Sequence, residues 1–242
     1  RMNMSRAGVW DYDGTLVDTR EKNLQVTRAL IPDVSGRPLA SFPALASAAA
    51  YAAADGRSAN WRELFGREFG LSSDQVDEAG RLWTAYQLED ETPAPFFEGV
   101  DMALESLKGL PQAIFSQNSR DAILLALEAA GLASYFALVL GYEEVAFGKQ
   151  KPAPDGLLLC LQQLEVEKGT AYFVGDHDTD MECARRANIE LQRRGVDVAV
   201  VAVGATFGEE RGRTWSWKPD RIVRQPVEVV DGVNGEWLMV NC

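Results

Sequence analysis

The sequence predicts an α/β fold built on a doubly wound parallel sheet, with a helical domain inserted into it. Short apolar segments alternate with amphipathic helical patterns along most of the chain. Several of these apolar segments are continuous and β-branched, as strands covered on both faces by helices should be. Between residues 21 and 95 the alternation stops and the pattern is helical throughout, which indicates an insertion.

Six short apolar segments are predicted to form the strands. They are "AGVW" from Ala7, "QAIFS" from Gln112, "FALVLGY" from Phe136, "AYFVG" from Ala171, "DVAVVAVG" from Asp197 and "RIV" from Arg221. Strands that alternate with helices along a chain favour parallel pairing within one sheet.

Three helical patterns lie between these strands. "SRDAILLALEAAG" has a capping residue in Ser119 and a stop at Gly131. "PAPDGLLLCLQQLE" has Pro152 near its expected first turn. "DTDMECARRAN" follows the strand that starts at Ala171. These helices are expected to cover the faces of the sheet.

The helical segment is predicted to be a domain of its own. "NWRELFGREFG" and "DQVDEAGRLWTAYQLE" both carry apolar residues at helical spacing, and Pro93 and Pro95 close the segment. We therefore expect an α/β core domain at 1–20 and 96–242 and a helical domain at 21–95.

The composition is that of a folded protein with an acidic surface. Hydrophobic residues make up 46% of the 242 residues and charged residues 25%, which suits a full-sized core and disfavours global disorder. The formal net charge is -12, so nucleic acid and anionic lipid are not expected as partners. An anionic small molecule would need local positive charge or a metal at its site.

The cysteines and the histidine exclude several kinds of site. The three cysteines, Cys160, Cys183 and Cys242, lack CxxC spacing, which argues against a disulfide framework and a zinc site. Their number is typical of a protein of the reducing cytosol, so we expect a cytoplasmic location. His177 is the only histidine. We expect no signal peptide, because the first residues lack an apolar stretch, and no membrane span, because no apolar run is long enough.

The carboxyl ends of the predicted strands carry residues suited to chemistry, and in open parallel sheets ligand sites lie beyond those ends. Carboxylates follow the first and fourth strands, a hydroxyl follows the second and two lysines follow the third. These residues are Asp11, Asp13, Ser116, Lys149, Lys151, Asp176 and Asp180. Lys149 is interpreted as a solvated surface residue, which leaves Lys151 as the site lysine.

This set of residue types suits phosphoryl transfer. Several carboxylates close together cannot all stay ionised without a cation, and Mg²⁺ fits a few carboxylates and a phosphate. One carboxylate can attack phosphorus, and a second can protonate the leaving oxygen and later activate water. A hydroxyl and a lysine can hold the phosphoryl oxygens. Gly14 lets the backbone approach a phosphate closely.

Four segments, in this order, resemble motifs of the haloacid dehalogenase (HAD) superfamily of phosphohydrolases: "DYDGTLVDT", "FSQNS", "KPAPDG" and "GDHDTD". The first is the most specific, and the four together are more specific than any one. The resemblance runs from Val9 to about Ala187 and is nearest to phosphoglycolate phosphatase and its relatives. It implies a Rossmann-like core with a C1 helical cap, and the segment at 21–95 occupies the place of that cap.

The resemblance implies catalytic roles for four residues. Asp11 is the expected nucleophile, and Asp13 is the expected general acid and base. Ser116 is expected to bind the phosphoryl group, with Ser119 as an open alternative. Lys151 is expected to neutralise the nucleophile and the phosphate. The expected substrate-binding residues are Gly14, Ser116, Asn118 and Lys151.

The resemblance also implies Mg²⁺ as the cofactor. Asp176 is an expected direct ligand, and Asp180 is expected to support the metal, with Asp178 as an open alternative. His177 is interpreted as a loop residue and not as a ligand. The expected metal residues are Asp11, Asp13 through its backbone carbonyl, Asp176 and Asp180.

The sequence therefore predicts a Mg²⁺-dependent phosphatase that hydrolyses a small phosphate monoester through an aspartyl-phosphate. A phosphosugar mutase of the same family is the first alternative, because it shares the Asp-x-Asp motif and a helical cap. A non-catalytic phosphate-binding protein on the same fold is the second. The expected partner is a small phosphorylated metabolite, and the expected state is a monomer or a homodimer.

Overall fold

The computed structural model describes residues 5–208 and 215–235. The chain divides into two compact units, one of Arg1–Val17 with Phe96–Cys242 and one of Asp18–Pro95. The boundaries predicted from the sequence are 20/21 and 95/96. Of the three cysteines, Cys242 lies outside the described residues.

The first unit contains a six-stranded sheet in the order β3-β2-β1-β4-β5-β6, and every pair of neighbouring strands is parallel. This topology confirms the predicted α/β fold class, and each strand falls on a predicted segment. The central strand β1 pairs with both β2 and β4. The strands are β1 Ser5–Trp10, β2 Gln112–Phe115, β3 Leu138–Leu140, β4 Lys168–Gly175, β5 Asp197–Ala205 and β6 Arg221–Val223.

The helices, in chain order, are α1 Arg20–Ser35, α2 Ala48–Asp55, α3 Trp61–Glu63, α4 Ser73–Glu89, α5 Val100–Ser106, α6 Arg120–Ala129, α7 Asp155–Gln163, α8 Asp178–Arg193 and α9 Pro226–Val233. A π-helical stretch at Leu64–Glu68 continues α3. In the part of the chain that the structure describes, no helix combines the length and the apolar character needed to cross a membrane.

Local sequence signals explain where the helices of the first unit begin. Ser119 caps α6 by accepting a hydrogen bond from Ala122 N at 3.5 Å, as the sequence predicts. α7 begins at Asp155, so Pro152 lies in the preceding loop and not in the first turn. At α8, His177 accepts a hydrogen bond from Thr179 N, and Asp180 accepts one from His177 N, which satisfies two of the free N–H groups at this helix end.

The core of the first unit lies against β1, β2 and β4. The rings of Phe115 and Phe173 stack with centroids 6.3 Å apart, and both side chains are buried. Gly156 in α7 fits against this pair, because a Cβ at that position would lie 2.3 Å from the Phe115 ring. The helix can therefore pack closely onto the sheet beneath the strand ends.

The second unit is helical throughout, as the sequence predicts for this segment. Its buried cluster contains the aromatic residues Phe42, Phe65 and Phe69, and Trp83 packs against it. α4 begins with a capping box in which Ser72 accepts from Gln75 N and the Gln75 side chain accepts from Ser72 N.

Candidate active site

The end of the central strand carries the first candidate residue. Asp11 directly follows β1, and its backbone N–H donates to Val174 O at 2.8 Å. Pairing with β4 thus continues one residue beyond the strand and fixes the Asp11 backbone. Because β1 lies between β2 and β4, the loops that follow all three strands converge here, as expected for an open parallel sheet.

A buried lysine joins two of the predicted carboxylates. Lys151 Nζ lies 2.6 Å from Asp11 Oδ1 and 2.7 Å from Asp180 Oδ1. The Lys151 side chain is only 3% exposed, and its ammonium lies 5.1 Å and 5.3 Å from the ring centroids of Phe115 and Phe173. Burial alone lowers the pKa of Lys151, but Asp11 and Asp180 outweigh it and hold that pKa above its ordinary value.

Three carboxylates meet beside this ammonium. Asp11, Asp176 and Asp180 each offer an oxygen, and these oxygens all lie within 4.8 Å of one another. Burial raises the pKa of Asp11 well above its ordinary value, Lys151 opposes this, and the nearby Asp180, Asp176 and Asp13 raise it further. The single positive charge of Lys151 therefore does not neutralise the three carboxylates. A bound hard cation, which prefers oxygen ligands, would supply the missing positive charge. This donor set fits Mg²⁺.

Gly14 allows this group to be compact. Its φ of +73° is in the left-handed region, and a Cβ there would lie 2.3 Å from Asp176 Oδ2. Any larger residue would meet both backbone strain and a direct collision with a carboxylate. The structure thus places Gly14 beside Asp176, and its expected role in binding the substrate stays a prediction.

Asp13 has different partners from Asp11. Asn118 Nδ2 donates to Asp13 Oδ1 at 2.9 Å, and Ser116 Oγ lies 3.5 Å from Asp13 Oδ2. Asn118 and Ser116 are both buried. The carboxylate of Asp13 is not in the group of three, and the resemblance assigns its backbone carbonyl to the metal, which stays a prediction.

The alternatives that the sequence leaves open have different surroundings. Ser116 lies beside Asp13, whereas Ser119 caps α6. Asp180 joins the carboxylate group, whereas Asp178 Oδ1 accepts hydrogen bonds from Ser216 N at 2.9 Å and Trp217 N at 3.0 Å. Asp178 therefore holds the chain before β6 against the start of α8.

Lys149 and His177 have contacts of other kinds. Lys149 is exposed and its ammonium lies 3.4 Å from Asp155 Oδ1, so it belongs to the surface. His177 uses its ring Nδ1 to cap α8. It takes no part in the group of three carboxylates.

Sequence reasoning missed Gln117. Its side-chain Nε2 donates to the backbone oxygen of Lys151 at 2.8 Å, which ties the end of β2 to the loop that carries the site lysine. Its position directly after Ser116 was the one available signal, because a glutamine by itself indicates no particular chemistry.

Comparison with known proteins identifies related sequences. A sequence model for the family described as "Haloacid dehalogenase-like hydrolase" matches residues 9–193. "Probable phosphatase IndB" of Dickeya dadantii (strain 3937) is 30% identical over 207 residues, which cover 83% of this chain and 80% of that protein. "Pyrophosphatase PpaX" of Listeria monocytogenes serotype 4a (strain HCC23) is 27% identical over 199 residues, which cover 79% of this chain and 83% of that protein.

"Phosphoglycolate phosphatase" of Shigella boydii serotype 4 (strain Sb227) is 27% identical over 159 residues, or 64% of this chain. The match covers 58% of that protein, which is less than two thirds of its length. Among solved structures, a predicted phosphoglycolate phosphatase from Haemophilus somnus 129pt superimposes with a TM-score of 0.71 at 21% identity, covering 96% of this chain and 99% of that chain. This structural likeness shows the fold.

Proposed function

The chain belongs to the haloacid dehalogenase-like hydrolases, as a phosphatase of that family, and we propose that it hydrolyses a small phosphate monoester through an aspartyl-phosphate on Asp11 in a Mg²⁺-dependent reaction. The observation that carries this proposal is the buried ion pair of Lys151 with Asp11, 2.6 Å long, beside Asp176 and Asp180. A buried carboxylate with a fixed cation and further acidic neighbours suits a nucleophile that must meet a phosphate dianion.

In the first step, a carboxylate oxygen of Asp11 attacks phosphorus, and the bond from phosphorus to the ester oxygen breaks. Lys151 offsets the charge that collects between Asp11 and the phosphoryl oxygens, because its ammonium is already desolvated and fixed. When bound, Mg²⁺ would be held by Asp11, Asp176 and Asp180, with the backbone carbonyl of Asp13, and would supply neutralisation of the phosphoryl charge.

Asp13 carries the proton in this proposal. It protonates the leaving ester oxygen in the first step and then takes a proton from the water that attacks phosphorus in the aspartyl-phosphate, as the bond from phosphorus to Asp11 breaks and inorganic phosphate is released. The hydrogen bond from Asn118, 2.9 Å long, supports this role because it fixes one oxygen of Asp13. Ser116 and Gly14 are the proposed groups beside the phosphoryl oxygens, with Asn118 and Lys151.

The proposed substrate is a small phosphorylated metabolite. The names of the relatives include a phosphoglycolate phosphatase and a pyrophosphatase, so phosphate esters and phosphoanhydrides both belong in a test. The two described cysteines, Cys160 and Cys183, are free and buried, which supports the proposed cytoplasmic location.

The test is phosphate release from a panel containing phosphoglycolate, sugar phosphates, nucleotides, pyrophosphate and an aryl phosphate. Each compound is assayed with Mg²⁺, with EDTA and with Asp11→Asn. We expect release that requires Mg²⁺ and disappears in the variant. Full activity of Asp11→Asn would overturn the mechanism. Conversion of a sugar phosphate into its isomer with little free phosphate would replace hydrolysis by the mutase reaction.

A further inference from the structure

The ammonium of Lys151 must be held accurately, because it contacts Asp11 and Asp180 at 2.6 Å and 2.7 Å at the same time. Its backbone, however, belongs to an irregular loop between the turn Phe147–Lys149 and α7. The buried side chain lies against the rings of Phe115 and Phe173, which limits its rotamers, so a backbone displacement in this loop would move the ammonium away from its two partners.

Three hydrogen bonds hold the flanks of this loop. Gln150 Nε2 donates to Tyr142 O at 2.9 Å and lies 3.3 Å from Val145 O, which fixes the chain before Lys151. After it, Ala153 N donates to Gln150 O at 2.8 Å and closes a turn around Lys151. These bonds close the turn and tie the loop to the chain after β3, but they do not join it to the strand end where Ser116 lies.

Gln117 supplies that connection. Its Nε2 donates to Lys151 O at 2.8 Å, and it directly follows Ser116, whose backbone N–H donates to Leu140 O at 3.0 Å. The amide of Gln117 thus fixes the peptide of Lys151 relative to the end of β2. Gln117 is half-buried, so the hydrogen bond is partly shielded from water.

We propose that Gln117 is a positioning residue, which acts through the backbone of Lys151 to hold the ammonium between Asp11 and Asp180. This inference rests on the proposed function, since it assigns Gln117 to the same reaction. Loss of the amide leaves the ammonium inside the buried site but frees its backbone. Attraction of the phosphate ester is then retained, whereas the alignment needed in the transition state is lost.

The test compares Gln117→Met with Gln163→Met. Methionine has nearly the length of glutamine and cannot donate a hydrogen bond, and Gln163 is an exposed residue at the end of α7. With the best ester of the panel, we expect kcat to fall by about 10- to 100-fold in Gln117→Met, with KM changed less than about threefold. Gln163→Met should keep the wild-type kcat, and both variants should unfold at similar temperatures.

A crystal structure of Gln117→Met gives a readout that does not depend on activity. We expect Lys151 Nζ to move out of hydrogen-bond distance of Asp11 Oδ1. An unchanged kcat, an equal loss in Gln163→Met, or an ammonium that keeps both contacts would overturn the proposal. If the wild-type enzyme releases no phosphate from any compound, the proposed function fails, and the crystal structure still decides the role of Gln117.

Discussion

Gly14 lies against Asp176 so closely that a Cβ on Gly14 would stand 2.3 Å from Asp176 Oδ2. The glycine also has a φ of +73°, which costs an L-residue about 1–2 kcal/mol. A side chain at position 14 would therefore cause both backbone strain and a steric clash with Asp176. The loop after β1 and the loop after β4 can therefore approach each other only while residue 14 has no side chain.

Gly14→Ala is expected to displace Asp176 and weaken both metal binding and activity. We expect Mg²⁺ affinity to fall by about 10- to 100-fold, as for other changes beside a metal ligand. Isothermal titration with Mg²⁺ measures this directly. Gly36→Ala is a matched control, because Gly36 also has a positive φ of +67° but a Cβ there would meet nothing within 4 Å. Equal losses in both variants would mean that strain alone is responsible.

Asp178 and Asp180 are expected to differ in what they contribute. Asp178→Ala removes the acceptor of two backbone N–H groups, so it should lower the free energy of unfolding by about 1 kcal/mol and keep phosphate release. Asp180→Asn should instead reduce phosphate release by about 100-fold, because it changes a partner of Lys151. Denaturant unfolding and phosphate assays on both variants check this, and a reversed pattern would contradict the assignment.

The stability of the metal-free protein is expected to fall more with rising pH in the wild type than in Asp11→Asn. The pKa of Asp11 lies above its ordinary value in the folded chain, so the folded state binds more protons than the unfolded state between about pH 4 and the folded-state pKa. Stability from this group is then lost as the pH rises through the folded-state pKa. In EDTA, the unfolding free energy of the variant minus that of the wild type should increase with pH across this range. A difference that is constant with pH would refute this.

Removal of the amide that holds Asp13 is expected to slow the reaction. Asn118→Ala leaves Asp13 Oδ1 without its 2.9 Å donor, and we expect kcat to fall by about 10-fold or more. Asn188→Ala offers a comparison outside the site, because Asn188 hydrogen-bonds the backbone of Val200 in β5. That variant should lose stability and keep kcat per folded molecule. Wild-type kcat in Asn118→Ala would show that Asp13 needs no such support.

The two described cysteines are expected to resist alkylation in the native protein. Burial raises the pKa of Cys160 to about 12 and the pKa of Cys183 further still, and the thiolate is the reactive form. Iodoacetamide at pH 8, followed by peptide mapping, should label both residues only after denaturation. Rapid labelling of either residue under native conditions would show that the helix pair α7 and α8 opens.

The meeting of the residues after β1 and β4 could be predicted from the sequence, because a parallel sheet brings the carboxyl ends of its strands to one edge. The apolar segments before Asp11 and Asp176 therefore predicted that these two residues are close in space, although more than half the chain separates them in sequence. It was harder to predict which side of α8 faces the site. Asp178 and Asp180 both lie in its first turn, and their different directions depend on how the helix packs, which the spacing of two acids does not reveal.

The amides that hold the Asp13 carboxylate and the Lys151 backbone could not be predicted for a different reason. Asn118 and Gln117 act through side-chain amides, and an amide in a loop has no periodicity or charge pattern that marks its target. Asn118 was predicted to bind the substrate, and its amide contact with Asp13 was not anticipated. Such contacts depend on loop conformation, which is the part of a fold least constrained by sequence pattern.

Because β1 pairs with both β2 and β4, the geometry of the site depends on the register of these strands. Trp10 lies opposite Val174, and the next residue, Asp11, donates to Val174 O. A slip of one residue between these strands would carry Asp11 about 3.3 Å along the sheet and turn its side chain to the opposite face. Turnover would then cease, because Asp11 would no longer lie beside Lys151. Recovery of phosphate release after refolding would therefore report that β1 has paired with β4 in the native register.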